Sequence, residues 1–130
     1  MKLRVSASLL AVALVAISVQ AKDAATASGE QLVRAMRGIN TLEMQYSRQH
    51  GSNLAELEQL IRWAHSDREN AQQADELTSA LRGVKATVVV SGDRKHYQAF
   101  VSTASEEHCS LALFSNEQGL IYAGRPLGCK

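Results

Sequence analysis

The stretch VKATVVVSGDRKHYQAFVST, residues 84–103, decides the fold class because its apolar residues recur with a period of two. Successive side chains of a strand point to opposite faces of the sheet. Four apolar residues of the first half share one face: Val84, Ala86, Val88 and Val90. Gly92 and Asp93 then predict a tight reversal, and Lys95–Thr103 alternates in the same way. The stretch therefore predicts an antiparallel hairpin.

The residues well before this hairpin have helical spacing. Ser28 and Gln31 form a capping box, and Glu30 adds a negative charge in the first turn, so a helix is predicted to begin there. Its apolar residues recur at steps of three and four along one face: Leu32, Ala35, Ile39, Leu42 and Tyr46. Gly51 is the predicted end of this long helix, and Glu43 is assigned to its polar side.

One or two short helices are predicted between the long helix and the hairpin. Asn53 and Glu56 repeat the capping spacing, and the helix that follows carries the only tryptophan, Trp63. Its apolar stripe consists of Leu54, Leu57, Leu60, Ile61 and Ala64. The polar stretch 67–82 predicts a loop and then a surface helix that ends at Gly83.

Two further strands are predicted after the hairpin, at Cys109–Phe114 and Leu120–Ala123, joined by residues 115–119. Helices that precede a run of antiparallel strands are typical of α+β proteins. The sequence thus predicts an α+β fold, in which the long N-terminal helix packs on one face of a four-stranded antiparallel sheet.

The first 21 residues are predicted to be a signal peptide. Lys2 and Arg4 give a positive start, Leu9–Val19 is apolar, and cleavage is expected after Ala21. The apolar run is shorter than the roughly 18 residues of a membrane-spanning helix. We therefore expect an exported protein, periplasmic or secreted, without stable membrane insertion.

After cleavage, residues 22–27 would form a flexible linker and residues 28–130 a single domain, since 109 residues suffice for one core and not for two. Removal of the two basic residues in the signal segment leaves 12 Lys and Arg against 13 Asp and Glu. This balance argues against a strongly basic nucleic-acid binder and a polybasic membrane-surface protein.

Cys109 and Cys129 are the only cysteines of the chain. Paired thiols in an exported protein usually oxidise, so a disulfide is expected between them.

Three stretches resemble the globular domain of type IV pilins and pseudopilins. Met36–Tyr46 is similar to the leucine-arginine-x-isoleucine-asparagine-threonine stretch of the family's long helix. His96–Phe100 resembles its tyrosine-bearing strand, and Leu113–Tyr122 resembles a strand, turn and strand near its C-terminus. Their order along residues 28–130 carries the resemblance. It implies a pilin-like fold, a C-terminal disulfide and a protein partner, such as a pilus or secretion-system component.

The resemblance also implies a recognition loop, because the region between the two cysteines of the family forms exposed contacts. Here that region is 115–128, and its candidate contact residues are Asn116, Glu117, Gln118 and Arg125. The N-terminus departs from the family pattern, since it lacks the glycine before the cleavage point, the aromatic residue or methionine after it, and the glutamate inside the apolar helix. The alternative is that the apolar segment is retained as a membrane anchor and continues into the long helix.

A second candidate site is the tip of the predicted hairpin, which combines positive charge with an aromatic ring: Arg94, Lys95, His96 and Tyr97. Such a group can hold phosphates and stack a base, which gives nucleic acid weak support as a partner. A solubilising charged turn explains the same residues.

Catalytic and metal sites are not expected. The four histidines, His50, His65, His96 and His108, have no zinc-site spacing. Ser91 lies in a turn sequence and not in a nucleophile elbow. Glu106 and Glu107 are read as solvated loop residues. No cofactor is implied.

Two classes of function remain. The first is an exported, non-catalytic, pilin-like interaction or assembly module, acting as an accessory subunit or adhesive domain of a pilus or secretion system. The second is a soluble periplasmic binding or inhibitory protein with the same helix-on-sheet plan. An enzyme ranks third, since the sequence offers no convergent polar cleft.

Reduction of the expected Cys109–Cys129 disulfide should lower the melting temperature while the helices stay partly formed. Closing a loop of this length stabilises a small domain by roughly 3 kcal/mol through the entropy of the unfolded chain. Circular dichroism melts with and without reductant measure the effect, and an intact mass lower by two hydrogens reports the bond itself. Superimposable melting curves would contradict the expectation.

Overall fold

The computed structural model describes residues 27–103 and 111–125. Within these ranges the chain forms three helices, α1 (Gly29–Gln49), α2 (Leu57–Ser66) and α3 (Ala71–Ala80). The strands of the described ranges are β1 (Val84–Val90), β2 (Tyr97–Thr103), β3 (Ala112–Asn116) and β4 (Tyr122–Gly124). They form one antiparallel sheet in the order β1-β2-β3-β4, which confirms the predicted α+β class and the meander.

The predictions for the signal peptide 1–21, for the disulfide between Cys109 and Cys129, and for Glu106, Glu107 and His108 concern residues outside these ranges. The predicted linker 22–27 reaches the described chain only at Ala27, whose side chain is buried with the core.

Helix α1 begins as the sequence predicts. The Ser28 hydroxyl accepts a hydrogen bond from the Gln31 backbone N–H at 3.1 Å. The Gln31 side chain does not complete the capping box, because its amide donates to the carbonyls of Ala80 at 3.0 Å and Arg82 at 2.7 Å. These bonds join the start of α1 to the end of α3. At its other end α1 stops at Gln49, and Gly51 has a left-handed φ of 61°.

The predicted start of α2 at Asn53 is wrong. The helix begins at Leu57 with Glu56 as its N-cap, and no side chain caps it. Residues 51–56, here called the connector, run between α1 and α2, and Leu54 and Ala55 of the connector are buried. The Asn53 side-chain oxygen instead accepts a hydrogen bond from the Lys95 ammonium at 3.0 Å. A long-range partner thus replaces the local cap.

The two-residue reversal predicted at Gly92 and Asp93 is also wrong. Val90 pairs with Tyr97, so the connection between β1 and β2 is the six-residue loop Ser91–His96. The Asp93 carboxylate accepts from the Ser91 hydroxyl at 2.5 Å and from the Lys95 backbone N–H at 3.0 Å, which stabilises the wider turn. Arg94 has a φ of 61° in this loop.

The last two strands are displaced along the chain from their predicted positions. Strand β3 continues to Asn116, since Ser115 and Asn116 pair with Ala99 and Gln98 of β2. Strand β4 begins at Tyr122. Polar residues at 115 and 116 indicated a loop from the sequence, but the Ser115 hydroxyl has hydrogen-bond partners that allow its burial.

One face of the sheet packs against α1, and the other face carries exposed aromatic rings. The buried face includes Val88, Tyr97, Ala99, Val101 and Leu113. On the opposite face cross-strand pairing aligns Phe100, Phe114 and Tyr122 in one row. Phe114 and Tyr122 are 46% and 53% exposed. Helix α3 packs on α1 and α2, so the sheet keeps this second face open to solvent within the described chain.

Replacement of Leu42 in α1 by alanine tests the position of the core. Leu42 is fully buried, so Leu42→Ala should lower the free energy of unfolding by about 2–5 kcal/mol through lost burial and a cavity. Urea unfolding measures the loss. Arg37→Ala, at an exposed position of the same helix, should change stability by less than about 0.5 kcal/mol. Equal losses in the two variants would contradict this core.

Candidate functional site

The two candidate sites of the sequence lie beside each other, at the end of the sheet where β1 meets β2 and β3 meets β4. They border one pocket of about 340 Å³, here called the α1 pocket. Helix α1, the connector and both strand connections contribute to it. Its main lining residues are Asn40, Met44, Leu54, Lys95, Tyr97 and Glu117. A volume of this size is at the lower end of the range for ligand-binding clefts.

The floor of the α1 pocket is held by hydrogen bonds between three elements. The Tyr97 hydroxyl of β2 donates to the Asn40 side-chain oxygen of α1 at 2.7 Å. The Asn40 amide donates to the Ser115 hydroxyl of β3 at 2.8 Å, and that hydroxyl donates to the Leu120 carbonyl at 2.8 Å. Burial raises the pKa of Tyr97, with Glu43 and Glu117 adding to the effect, so the phenol stays protonated and remains a donor.

Lys95 places an ammonium group at the rim of the pocket. Its Nζ donates to the Gly51 carbonyl and to the Asn53 side-chain oxygen, each at 3.0 Å. Within the described residues no carboxylate forms an ion pair with this ammonium. Among the described residues, the hydrogen-bond partners of the Lys95 ammonium at the rim are therefore neutral oxygens.

His96 and Glu117 join the basic tip to the recognition loop. The His96 Nδ1 and the Glu117 Oε1 are 2.8 Å apart, and the Tyr97 backbone N–H donates to the Glu117 Oε2 at 3.4 Å. The hydrogen bond and charge of Glu117 raise the pKa of His96. The hydrogen bond from His96 lowers the pKa of the Glu117 carboxyl. Both shifts favour the ion pair, although the two side chains are largely exposed to solvent.

Arg94 is an exposed residue whose guanidinium is nevertheless hydrogen-bonded to the protein. Its guanidinium donates to the Leu54 carbonyl at 2.9 Å and to the Gln59 side-chain oxygen at 3.0 Å. The Leu54 N–H in turn donates to the Arg94 carbonyl at 2.9 Å. Two of these bonds fasten the connector to the β1–β2 loop, and the bond to Gln59 fastens α2 to it.

Base stacking by the tip stays a prediction, and the burial of its ring counts against it. A base needs an exposed ring to stack on, and the Tyr97 ring is only 4% exposed. The three basic side chains beside it are engaged within the protein by the bonds described above.

Not all residues of the predicted recognition loop belong to the site. Asn116 ends β3 and accepts from the Gln118 N–H at 3.0 Å, while Gly119, with a φ of 73°, closes the turn. Glu117 and Gln118 line the α1 pocket. Arg125 follows β4, near the opposite end of β3, where Gly124 pairs with Ala112. It does not line the pocket.

Sequence reasoning missed Glu43, which it assigned to the polar side of α1. The side chain is fully buried. Its Oε2 accepts from the Ala55 backbone N–H at 3.0 Å, and its Oε1 has no hydrogen-bond partner among the described residues. Burial raises the pKa of this carboxyl to about 7, although the Ala55 bond and the Arg94 charge act in the opposite direction. Its spacing of four from Ile39 could have revealed it, since residues four apart share a helix face.

Asn40 was missed as well, because a polar residue on a helix carries no signal of a partner 57 positions away in the sequence.

The described residues contain no group of three or more histidine, cysteine, aspartate or glutamate side chains that could hold a metal ion. The Ser91 hydroxyl belongs to the β1–β2 turn, where it contacts the Asp93 carboxylate and the His96 backbone and not an imidazole ring. Across the same ranges, no helix combines the length and the hydropathy that crossing a membrane requires.

Stability should fall between about pH 4.5 and pH 7 because of Glu43. The folded protein binds the Glu43 proton more tightly than the unfolded chain does, because the carboxyl of the unfolded chain has a pKa near 4.5. The contribution of this proton to the free energy of unfolding is therefore full below pH 4.5 and is lost as the pH rises through 7. A shift of this size corresponds to about 3 kcal/mol. Glu43→Gln should remove this slope and be more stable than the wild type at pH 8, as measured by urea unfolding. The same slope in both proteins would exclude Glu43 as its origin.

No family model, curated protein or solved structure matches this chain. A functional proposal therefore depends on the residues of the α1 pocket and on their geometry.

Proposed function

We propose that this chain is an exported, non-catalytic, pilin-like interaction domain that binds a protein partner through the α1 pocket. One observation carries the proposal: Lys95 and Tyr97 of one segment singled out in the sequence, and Glu117 and Gln118 of the other, line the same concave surface. A surface that several elements build and hydrogen bonds hold in place is preorganised, which lowers the entropy cost of binding.

The lining of the pocket indicates the chemistry of the partner. Met44 is 49% exposed and supplies accessible apolar surface, while Leu54 and Tyr97, which also line the pocket, are largely buried. Methionine adapts its shape to different apolar groups, which suits a contact with a protein side chain. The Lys95 ammonium at the rim has no carboxylate partner within the described chain. We infer a partner segment that inserts an apolar side chain and places a carboxylate next to Lys95.

The order of the elements supports the pilin-like part of the proposal. A helix of 21 residues lies on a four-stranded meander, and the β3–β4 turn follows at the C-terminal end of the described chain. By this proposal residues 1–21 direct export and are removed, and the domain acts in the periplasm or outside the cell as an accessory subunit or adhesive domain of a pilus or secretion system.

The concave shape of the pocket also favours a second function, a soluble periplasmic protein that binds a free small molecule. A volume of about 340 Å³ accommodates such a ligand as well as it accommodates an inserted side chain. The two functions differ in what occupies the pocket in cells.

Photo-crosslinking in the producing cells tests the occupant. A benzoylphenylalanine at Gln118, on the pocket rim, should give one discrete adduct with an envelope protein. The same residue at Gln72, exposed on α3, should give none. Lys95→Glu should reduce the Gln118 adduct by about tenfold, because it replaces an attraction by a repulsion at the rim.

Identical adducts from Gln118 and Gln72, or an adduct that Lys95→Glu does not weaken, would contradict binding through the α1 pocket. Native mass spectrometry of the purified protein distinguishes the second function. A retained small molecule that is lost in Lys95→Glu, without any protein adduct, would favour the soluble binding protein.

A further inference from the structure

We propose that Glu43 is a proton switch for the α1 pocket: loss of its proton draws the Arg94 guanidinium from the Leu54 carbonyl to the Glu43 carboxylate, which releases the connector and weakens partner binding. The link to a partner rests on the function proposed above. The switch itself belongs to the unliganded protein and can be observed without a partner.

The burial of Glu43 supplies the energetic drive. The carboxyl lies between α1 and the connector, and within the described chain it makes one hydrogen bond, from the Ala55 N–H to one of its oxygens. The neutral acid tolerates this environment. The charged form leaves a buried Oε1 without a partner among the described residues, which is a costly arrangement. The anion therefore favours any rearrangement that brings a donor to Oε1.

Arg94 is a donor placed to respond, because the Leu54 carbonyl that it holds belongs to the same peptide group as the Ala55 N–H that Glu43 holds. Its charge already acts on Glu43, and its guanidinium donates to the Leu54 carbonyl of the connector and to the Gln59 side chain of α2. Guanidinium has five N–H donors and prefers a carboxylate to a neutral carbonyl. Both present bonds use one terminal nitrogen, Nη2, so a turn of this nitrogen to the carboxylate removes it from the Leu54 carbonyl, and the charge of Glu43 decides between the two acceptors.

The outcome of this competition reaches the pocket through the connector. Ser52 and Leu54 of the connector line the pocket, and the Gly51 carbonyl and Asn53 side chain hold the Lys95 ammonium at its rim. When Arg94 leaves the Leu54 carbonyl, a bond that holds this wall in place is lost. The wall and the Lys95 charge then no longer occupy the positions that the partner requires.

The other charged and titratable groups near Glu43 set the direction of the pH effect. Arg94 acts on Glu43 from the β1–β2 loop, and Tyr97 from β2 faces Glu43 as a neutral phenol because burial raises its pKa. Burial raises the pKa of Glu43 to about 7. Below pH 7 the prevailing form therefore has a protonated Glu43 and an Arg94 that is bonded to the Leu54 carbonyl. Partner binding should be strongest in this pH range. By reciprocity, the bound partner increases the proton affinity of Glu43.

Nuclear magnetic resonance of the unliganded full chain tests the switch. In the wild type, the Glu43 side-chain carboxyl carbon and the backbone amides of Ser52, Leu54 and Ala55 should titrate together with a midpoint near pH 7. In Glu43→Gln the amides should not shift between pH 5 and pH 9. A wild-type Glu43 carbon that titrates near its unperturbed value, or connector amides that do not shift, would overturn the proposal.

His96 provides the matched control, since its pKa is raised by the Glu117 hydrogen bond and it lies on the same loop. In His96→Gln the connector amides should keep their transition near pH 7. Loss of the transition in His96→Gln, or its persistence in Glu43→Gln, would assign the transition to the imidazole and refute the role of Glu43.

The coupling between Glu43 protonation and partner binding is measured by the yield of the Gln118 crosslink at two pH values. The wild type should give a yield several-fold higher at pH 5.5 than at pH 8.5, and Glu43→Gln should give equal yields. Equal yields in the wild type would overturn the coupling and leave the proposed interaction intact. A failure of the proposed interaction is distinguishable, because it abolishes the crosslink at both pH values while the amide titration still occurs.

Discussion

The burial of one face of α1 is the interaction on which the rest of the structure depends. This helix contacts both other helices and the two central strands, so it is the element that joins the helical and sheet layers. Five of its large apolar side chains are at most 5% exposed: Leu32, Met36, Ile39, Leu42 and Tyr46. Each fully buried side chain of this kind contributes about 1.5–3 kcal/mol of transfer free energy, a large amount relative to the marginal stability of a small domain.

The same helix also carries the polar groups that make the site. Asn40 and Glu43 lie within one turn of each other and face the protein, where they contact β2 and the connector respectively. Asn40 has its hydrogen-bonding groups satisfied by Tyr97 and Ser115, and it makes the floor rigid. Only one of the two Glu43 carboxyl oxygens has a hydrogen-bond partner among the described residues. Two positions within one turn of α1 thus have opposite roles. Asn40 makes the floor of the pocket rigid, whereas Glu43 has a carboxyl oxygen that lacks a hydrogen-bond partner among the described residues.

The sequence predicts the elements of this fold better than their connections. Helical spacing in α1 and alternation in residues 84–90 are local properties, so the helices and the hairpin follow from them. The start of α2, the width of the β1–β2 loop and the burial of Glu43 depend on partners far along the chain. Asn53 is drawn to Lys95, 42 positions away, and Glu43 to Ala55 across the end of its helix. Such pairings are decided by packing, which local patterns do not encode.

The aromatic cluster at the corner between α1 and α2 has a practical consequence. His50 stacks on Tyr46 with ring centroids 3.8 Å apart, and Trp63 meets the Tyr46 ring edge-on at 5.2 Å. Trp63 is the only tryptophan of the chain, so the whole long-wavelength emission of the protein comes from this corner. The corner adjoins the connector, which begins immediately after His50. The fluorescence of Trp63 therefore reports on the region where α1 ends and the connector, which forms a wall of the pocket, begins.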